Sequence, residues 1–219
     1  MNKILTGAFV SIASMFMAGS ALAGGHDACG EITIAEMDWA SAELIANIDK
    51  IILEEGYGCT VELIPGATMT TFASMDTKGV PDIAPELWAN AVQTPLAKAE
   101  EEGRLFMLNG APIVGAGEGW MISTKVMEEN GLTTLEDVLS RPDLFPHPED
   151  SSKGGIVTCP SGWGCQIATN QLFKAFDMEA KGWMLIDSGS SAGLNGSIEK
   201  AITRDEAWFG YYWGPTVLA

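Results

Sequence analysis

An alternation of short β-rich runs with amphipathic helical stretches constrains this chain more than any other feature. Residues 31–36 alternate polar and apolar side chains as a strand does. Residues 41–55 then place Leu44, Ile45, Ile48, Ile51 and Ile52 on one helical face, with Ser41 positioned to cap the helix and Gly56 and Gly58 to stop it. Residues 60–64 are β-rich again, Pro65-Gly66 reads as a turn, and 68–78 as a helix. A short apolar strand over 81–85 and a helix over 90–103 complete the first half. Strands separated by helices of this length imply parallel βαβ units and an α/β fold.

The pattern breaks over residues 109–119, where Gly110, Pro112, Gly115, Gly117 and Gly119 fall close together, as at an interdomain crossover. It resumes with a strand over 120–123, helices over 124–129 and 134–140, and a polar, proline-bearing loop over 141–152. A strand over 155–158, a helix over 164–176, a strand over 183–187 and a helix over 192–203 follow. That last helix carries Leu194, Ile198, Ala201 and Ile202 on its apolar side, and an aromatic strand over 207–213 comes after it. The expected organisation is two α/β lobes, 24–112 and 113–213, with 214–219 beginning a return to the first lobe. A cleft between lobes is the usual seat of a small ligand.

Residues 1–23 are read as a secretory signal peptide: Lys3, an apolar run from Ile4 to Ala21 broken by serines, and the small-x-small site Ala21-Leu22-Ala23. Export with cleavage after Ala23 places the protein in the periplasm. No cysteine follows that site directly, so a lipid tether is not expected. The formal charge is −17 and becomes one unit more negative when Lys3 leaves. Such a chain is repelled by nucleic acid and by anionic lipid. Four cysteines in an exported chain point to disulfides. Three pairings are possible. Cys29–Cys59 with Cys159–Cys165 is favoured, because the first two flank neighbouring predicted strands and the others close a short glycine-rich turn. A zinc site would need histidines, and His26 and His147 are poorly spaced for one. No metal or cofactor is expected.

Seven tryptophans stand out by their positions. Trp39 follows the first strand, Trp88 the third, Trp163 lies in the turn Pro160-Ser161-Gly162-Trp163-Gly164, and Trp213 ends the last strand. Ligands of open parallel sheets bind beyond the carboxyl ends of the strands, so these four rings are expected to meet at one cleft. Trp183 and Trp208 read as packing residues, and Trp120 as intermediate. A quaternary ammonium has no N–H to donate and presents methyl groups bearing diffuse positive charge. Indole faces meet both properties, at about 0.5–2 kcal/mol per good cation–π contact. Asp38, Glu86 and Glu118 lie beside the tryptophans and can supply counter-charge. The turns at Ala67-Thr68 and Ser161-Gly162 open helices whose N–H groups can hold an anionic end.

In order along the chain, Asp38-Trp39, Gly66-Ala67-Thr68, Pro81-Asp82-Ile83-Ala84-Pro85-Glu86-Leu87-Trp88 and Tyr211-Tyr212-Trp213-Gly214-Pro215 resemble the glycine betaine/choline class of ABC-transporter substrate-binding proteins. The resemblance covers essentially the whole mature chain. It implies a two-lobed, type II-like periplasmic binding protein that closes over a methylated ammonium solute and works with an inner-membrane permease. It also implies a monomer, without catalysis. By that likeness Trp39, Trp88, Trp163 and Trp213 form a tryptophan box, with Trp120 a fifth member. The Cys159–Cys165 turn around Trp163 looks most like the branch that binds trimethylamine N-oxide. Members of the class run further than this chain, so the likeness implies that the returning part of the first lobe is absent from this sequence.

Two rival readings remain at this stage. One is an exported enzyme; neither an HExxH pair nor a CxxC motif is present, and His147 sits in a proline-bearing loop with no obvious nucleophile beside it. The other is a binding protein for another solute, such as a polyamine, an amino acid or dimethylsulfoniopropionate.

Overall fold

The computed structural model describes residues 29–108, 110 and 115–218. The expected signal peptide, its cleavage site, His26 and the lobe boundary at 112/113 lie outside the described residues. Among the described residues no helix is long and apolar enough to cross a membrane.

The first half is built on β1 (Glu31–Met37) and β2 (Thr60–Gly66), paired in parallel in register from Glu31↔Thr60 to Met37↔Gly66. The crossover between them is α1 (Ala40–Ile51), which continues as a π-helical turn over Ile52–Gly56. The expected strand over 81–85 reduces to a single bridge, Ile34↔Ile83. Pro81 and Pro85 have no N–H to donate, so a ladder cannot extend past Ile83 in either direction. Helix α2 (Thr68–Lys78) follows β2. The helix expected over 90–103 is split into a 3₁₀ turn, Ala89–Val92, and α3 (Gln93–Glu101), with Pro95 in the first turn of α3, where a missing N–H costs nothing.

Helix α1 corrects the expected facing. Its buried residues are Ala42 and Ala46, whereas Leu44, Ile48, Ile51 and Ile52 are exposed. Small side chains let the helix sit close on β1, and the larger apolar stripe turns outward. Ser41 does not cap α1 either; Trp39 holds the cap position, and the Ser41 hydroxyl donates to Glu86 instead.

The second half is a four-stranded sheet in the order β3-β6-β4-β5, from β3 (Gly117–Ile122), β4 (Gly154–Thr158), β5 (Trp183–Asp187) and β6 (Phe209–Gly214). β3 runs antiparallel to β6, and the other pairs are parallel. β4 is buried throughout, as a central strand must be. Gly154 is obligatory there, because a Cβ would meet Pro142 and the Trp183 ring at 2.8 Å. Helices α4 (Thr124–Asn130), α5 (Leu135–Leu139), α6 (Gly164–Ala175) and α7 (Ser191–Arg204) connect these strands. Trp183 and Phe209 are edge to face at 5.3 Å in a core that belongs to this half alone, with Ile156, Met178 and Phe145. Trp183 is thus the packing residue expected of it, and its Nε1–H donates to the Leu139 carbonyl.

A second cluster joins the halves. Ala35, Met37, Trp39 and Ala42 from the first pack with Val157, Trp163, Leu194, Tyr211 and Trp213 from the second. Both favoured disulfides are present, Cys29–Cys59 and Cys159–Cys165, so all four cysteines are committed.

Candidate functional site

The carboxyl ends of β1 and β4 are followed by the loops that carry Trp39 and Trp163, and β6 delivers Trp213 near its own carboxyl end. These rings meet. Trp39 and Trp163 are edge to face at 5.1 Å, and Trp163 and Trp213 at 5.3 Å. Trp88, at the start of the 3₁₀ turn after the Ile83 bridge, joins them, and all four line one small pocket. Thr68, Glu118 and Tyr211 share its wall, as do Asn90, Gly164 and Cys165.

Polar groups hold the rings. Glu86 Oε1 accepts from Trp39 Nε1 at 2.7 Å, from Trp88 Nε1 at 3.1 Å and from the Ser41 hydroxyl at 3.0 Å. Asp38 Oδ1 accepts from Trp163 Nε1 at 2.7 Å. Glu118, opposite Trp213 across the β3–β6 ladder, accepts from the Tyr211 hydroxyl at 2.6 Å and from the Asn90 side-chain amide. Burial, and then the Glu118 carboxylate, push the Tyr211 phenol above its ordinary value, so its O–H stays a donor.

Several expected contacts fall elsewhere. Trp120 does not line the pocket; its ring packs on Phe176 and Phe209, and its N–H donates to Thr169. The reason is position along the sheet, since Trp120 packs against the Phe209 end of β6, away from Trp213. Of the two proposed anion-holding turns, Thr68 lines the pocket, whereas Ala67, Ser161 and Gly162 do not. The Met69 N–H at the start of α2 is taken by the Gly162 carbonyl at 3.1 Å. Asp38 and Glu86 stand behind the rings and not in the wall. Tyr211 and Asn90 are pocket residues that the sequence reading did not single out. The period-2 alternation along β6, which places Tyr211 on the face of Trp213, was the signal for the first.

A GxSxG spacing, which the sequence reading missed in setting the enzyme aside, is also present. Gly189-Ser190-Ser191-Ala192-Gly193 has GxSxG spacing between β5 and α7. There the Ser190 hydroxyl caps α7 by accepting from Gly193 N–H at 3.0 Å, and Ser191 is the first helical residue. Buried His147 accepts at Nδ1 from the Glu149 N–H, and among the described residues no histidine is hydrogen-bonded to either serine. No group of three or more His, Cys, Asp or Glu among them could hold a metal ion.

Two α/β lobes with an aromatic pocket at their facing strand ends are the architecture of a two-lobed solute-binding protein. The chain belongs to the family described as the substrate binding domain of ABC-type glycine betaine transport systems (OpuAC), which matches residues 30–219. Over 76 residues it is 29% identical to a glycine betaine/proline betaine-binding periplasmic protein of Salmonella typhimurium, covering 34% of this chain and 23% of that protein. Its fold is similar to that of a glycine betaine, L-proline-binding protein (ProX) from Borrelia burgdorferi, with TM-score 0.65 and 18% identity over 85% of this chain and 64% of that one. It is similar also to a choline-binding protein in an unliganded semi-closed conformation, with TM-score 0.68 and 17% identity over 86% and 62%. A third likeness is to lactococcal OpuAC complexed with glycine betaine, with TM-score 0.63 and 18% identity over 85% and 66%. The chain therefore spans less than two thirds of the length of these solved structures, and its match covers about a quarter of the curated relative.

Proposed function

We propose that this protein is the periplasmic substrate-binding component of an ABC importer and captures a methylated ammonium solute: glycine betaine, choline or trimethylamine N-oxide. The observation that carries the reading is the convergence of Trp39, Trp88, Trp163 and Trp213, with Tyr211, on one pocket. Ring faces offer a trimethylammonium head apolar contact and negative quadrupole together. Three or four such contacts supply several kcal/mol, at about 0.5–2 kcal/mol each and not additively. The carboxylates of Asp38, Glu86 and Glu118 give the site a negative field, and Thr68 at the start of α2 lies where an anionic end can approach. Family membership and the ligands named for its relatives support the same class. In this reading the protein is exported, acts as a monomer, delivers the solute to an inner-membrane permease, and performs no chemistry on it.

Calorimetric titration of the full-length mature protein with glycine betaine, choline, trimethylamine N-oxide, carnitine, proline and dimethylsulfoniopropionate tests the proposal. Saturable binding of a methylated ammonium without turnover is the expected outcome. Binding only of a primary amine, a sugar or an unmethylated amino acid would overturn it.

A further inference from the structure

Four of the five aromatic rings that line the pocket donate their polar hydrogen to a carboxylate: Trp39 and Trp88 to Glu86, Trp163 to Asp38, and Tyr211 to Glu118. Glu118 is itself in the wall, but Asp38 and Glu86 are not. Their oxygens meet the indoles at the N–H edge, so an occupant of the pocket would touch ring faces and not these carboxylates. Glu86 is the more unusual of the two. Oε1 takes three donors, while Oε2 is enclosed with no hydrogen-bond partner among the described residues. Among the described residues no basic side chain pairs with this carboxylate, which lies in a partly buried place, where an enclosed anion is costly unless something positive comes near.

We propose that Asp38 and Glu86 are positioning residues that make the pocket selective for positive charge, acting from behind the rings through the indole N–H groups of Trp39, Trp88 and Trp163. Two effects run in the same direction. Each short charge-assisted hydrogen bond fixes the plane of an indole, so the faces are set before a solute arrives. Each also polarises the indole, since hydrogen-bonded groups in sequence polarise one another. An N–H leaning on an anion leaves more electron density over the ring, and the negative face that attracts a cation is strengthened. A carboxylate in the wall, such as Glu118, attracts the head by charge alone, because a trimethylammonium has no N–H to donate to it. This inference rests on the methylated-ammonium reading given above and assigns the source of its charge selectivity.

The test pairs each methylated ammonium with its carbon isostere, in which a quaternary carbon replaces the charged nitrogen: choline with 3,3-dimethylbutan-1-ol, glycine betaine with 3,3-dimethylbutanoate, trimethylamine N-oxide with tert-butanol. Affinities of the full-length wild type, D38N and E86Q are measured for the pair whose charged member the wild type binds. Indole ¹H–¹⁵N spectra are recorded for each protein without solute. Asn and Gln keep a carbonyl acceptor at similar reach and remove the charge. The expected result is about a tenfold loss for the charged solute in each variant, the order of one cation–π contact, with less than about a twofold change for the isostere. The indole N–H resonance of Trp163 in D38N, and those of Trp39 and Trp88 in E86Q, should move upfield. Equal losses for both members of the pair, or unmoved resonances, would overturn the proposal and leave Asp38 and Glu86 as scaffold alone. Should E86Q fail to fold, D38N carries the comparison, because Asp38 is on the surface. A wild type that binds none of the three charged solutes removes the functional reading itself, and the spectra still report whether the carboxylates hold the rings.

Discussion

Trp163 stands between Trp39 and Trp213, edge to face with both, and ties its N–H to Asp38. It is also buried in the cluster that joins the halves, so truncation to alanine removes packing as well as a binding face. A Trp→Ala change in such a place costs about 3–5 kcal/mol. W163F separates the two roles. It keeps a ring and loses the bond to Asp38. Affinity for the bound solute should fall about tenfold, while urea unfolding should move by no more than about 2 kcal/mol. Asp137 makes a prediction in a different region. Its carboxylate accepts from the Thr133 N–H and hydroxyl and from the Thr134 N–H, and these bonds, led by the Thr133 N–H, hold it at about 2 against an ordinary 3.8. A lowered folded value means that the ionised form is the one favoured by folding. The contribution is complete above the unfolded value and disappears as the pH falls toward 2. Thermal unfolding should therefore separate wild type from D137N above about pH 5 and bring them together near pH 2.

Among the elements, the two disulfides close loops of very different size, with sequence separations of 30 and 6. Loop-closure entropy scales with that length, so the C29S/C59S pair should cost about 4 kcal/mol and the C159S/C165S pair about 2. Only the second should also weaken solute binding, since its loop holds Trp163; urea unfolding and titration on both variants decide this. The first pairing could be read from the strand order and the second from the short glycine-rich turn that it closes. Most strands and helices could be read as well, because period 2 and period 3.6 survive wherever one face of an element is buried. Failures have physical causes. The run at residues 81–85 is apolar and short, yet its two prolines silence the ladder on each side of Ile83. Helix α1 shows a clean apolar stripe, but periodicity identifies a stripe without saying which side the sheet takes, and here the sheet took Ala42 and Ala46. The site divides the same way. The four box tryptophans follow from the strand-end rule, whereas Trp120 and Tyr211 depend on which stretch of the β3–β6 ladder faces the cleft. The roles of Asp38 and Glu86 as indole acceptors required side-chain geometry that no spacing reveals.

On the scale of the whole molecule, three hydrogen bonds cross from one half to the other near the pocket: Trp163 to Asp38, Met69 N–H to the Gly162 carbonyl, and Asn90 to Glu118. The halves also approach closely at Gly164, where a Cβ would lie 2.1 Å from that of Ala91. Neither atom belongs to a flexible side chain, so G164A must hold the start of α6 away from the 3₁₀ turn that follows Trp88. Solute affinity should drop by at least about tenfold, whereas stability in the absence of solute should change little, the difference being read by titration beside denaturant unfolding.

The bond between Trp163 and Asp38 has an optical corollary. Donor and acceptor sit 125 positions apart in sequence, one in each half of the chain, so the contact exists only while the two halves touch. The part of the tryptophan emission that W163F removes, red-shifted in water and blue-shifted when enclosed, would therefore report whether that contact is made, without any added dye.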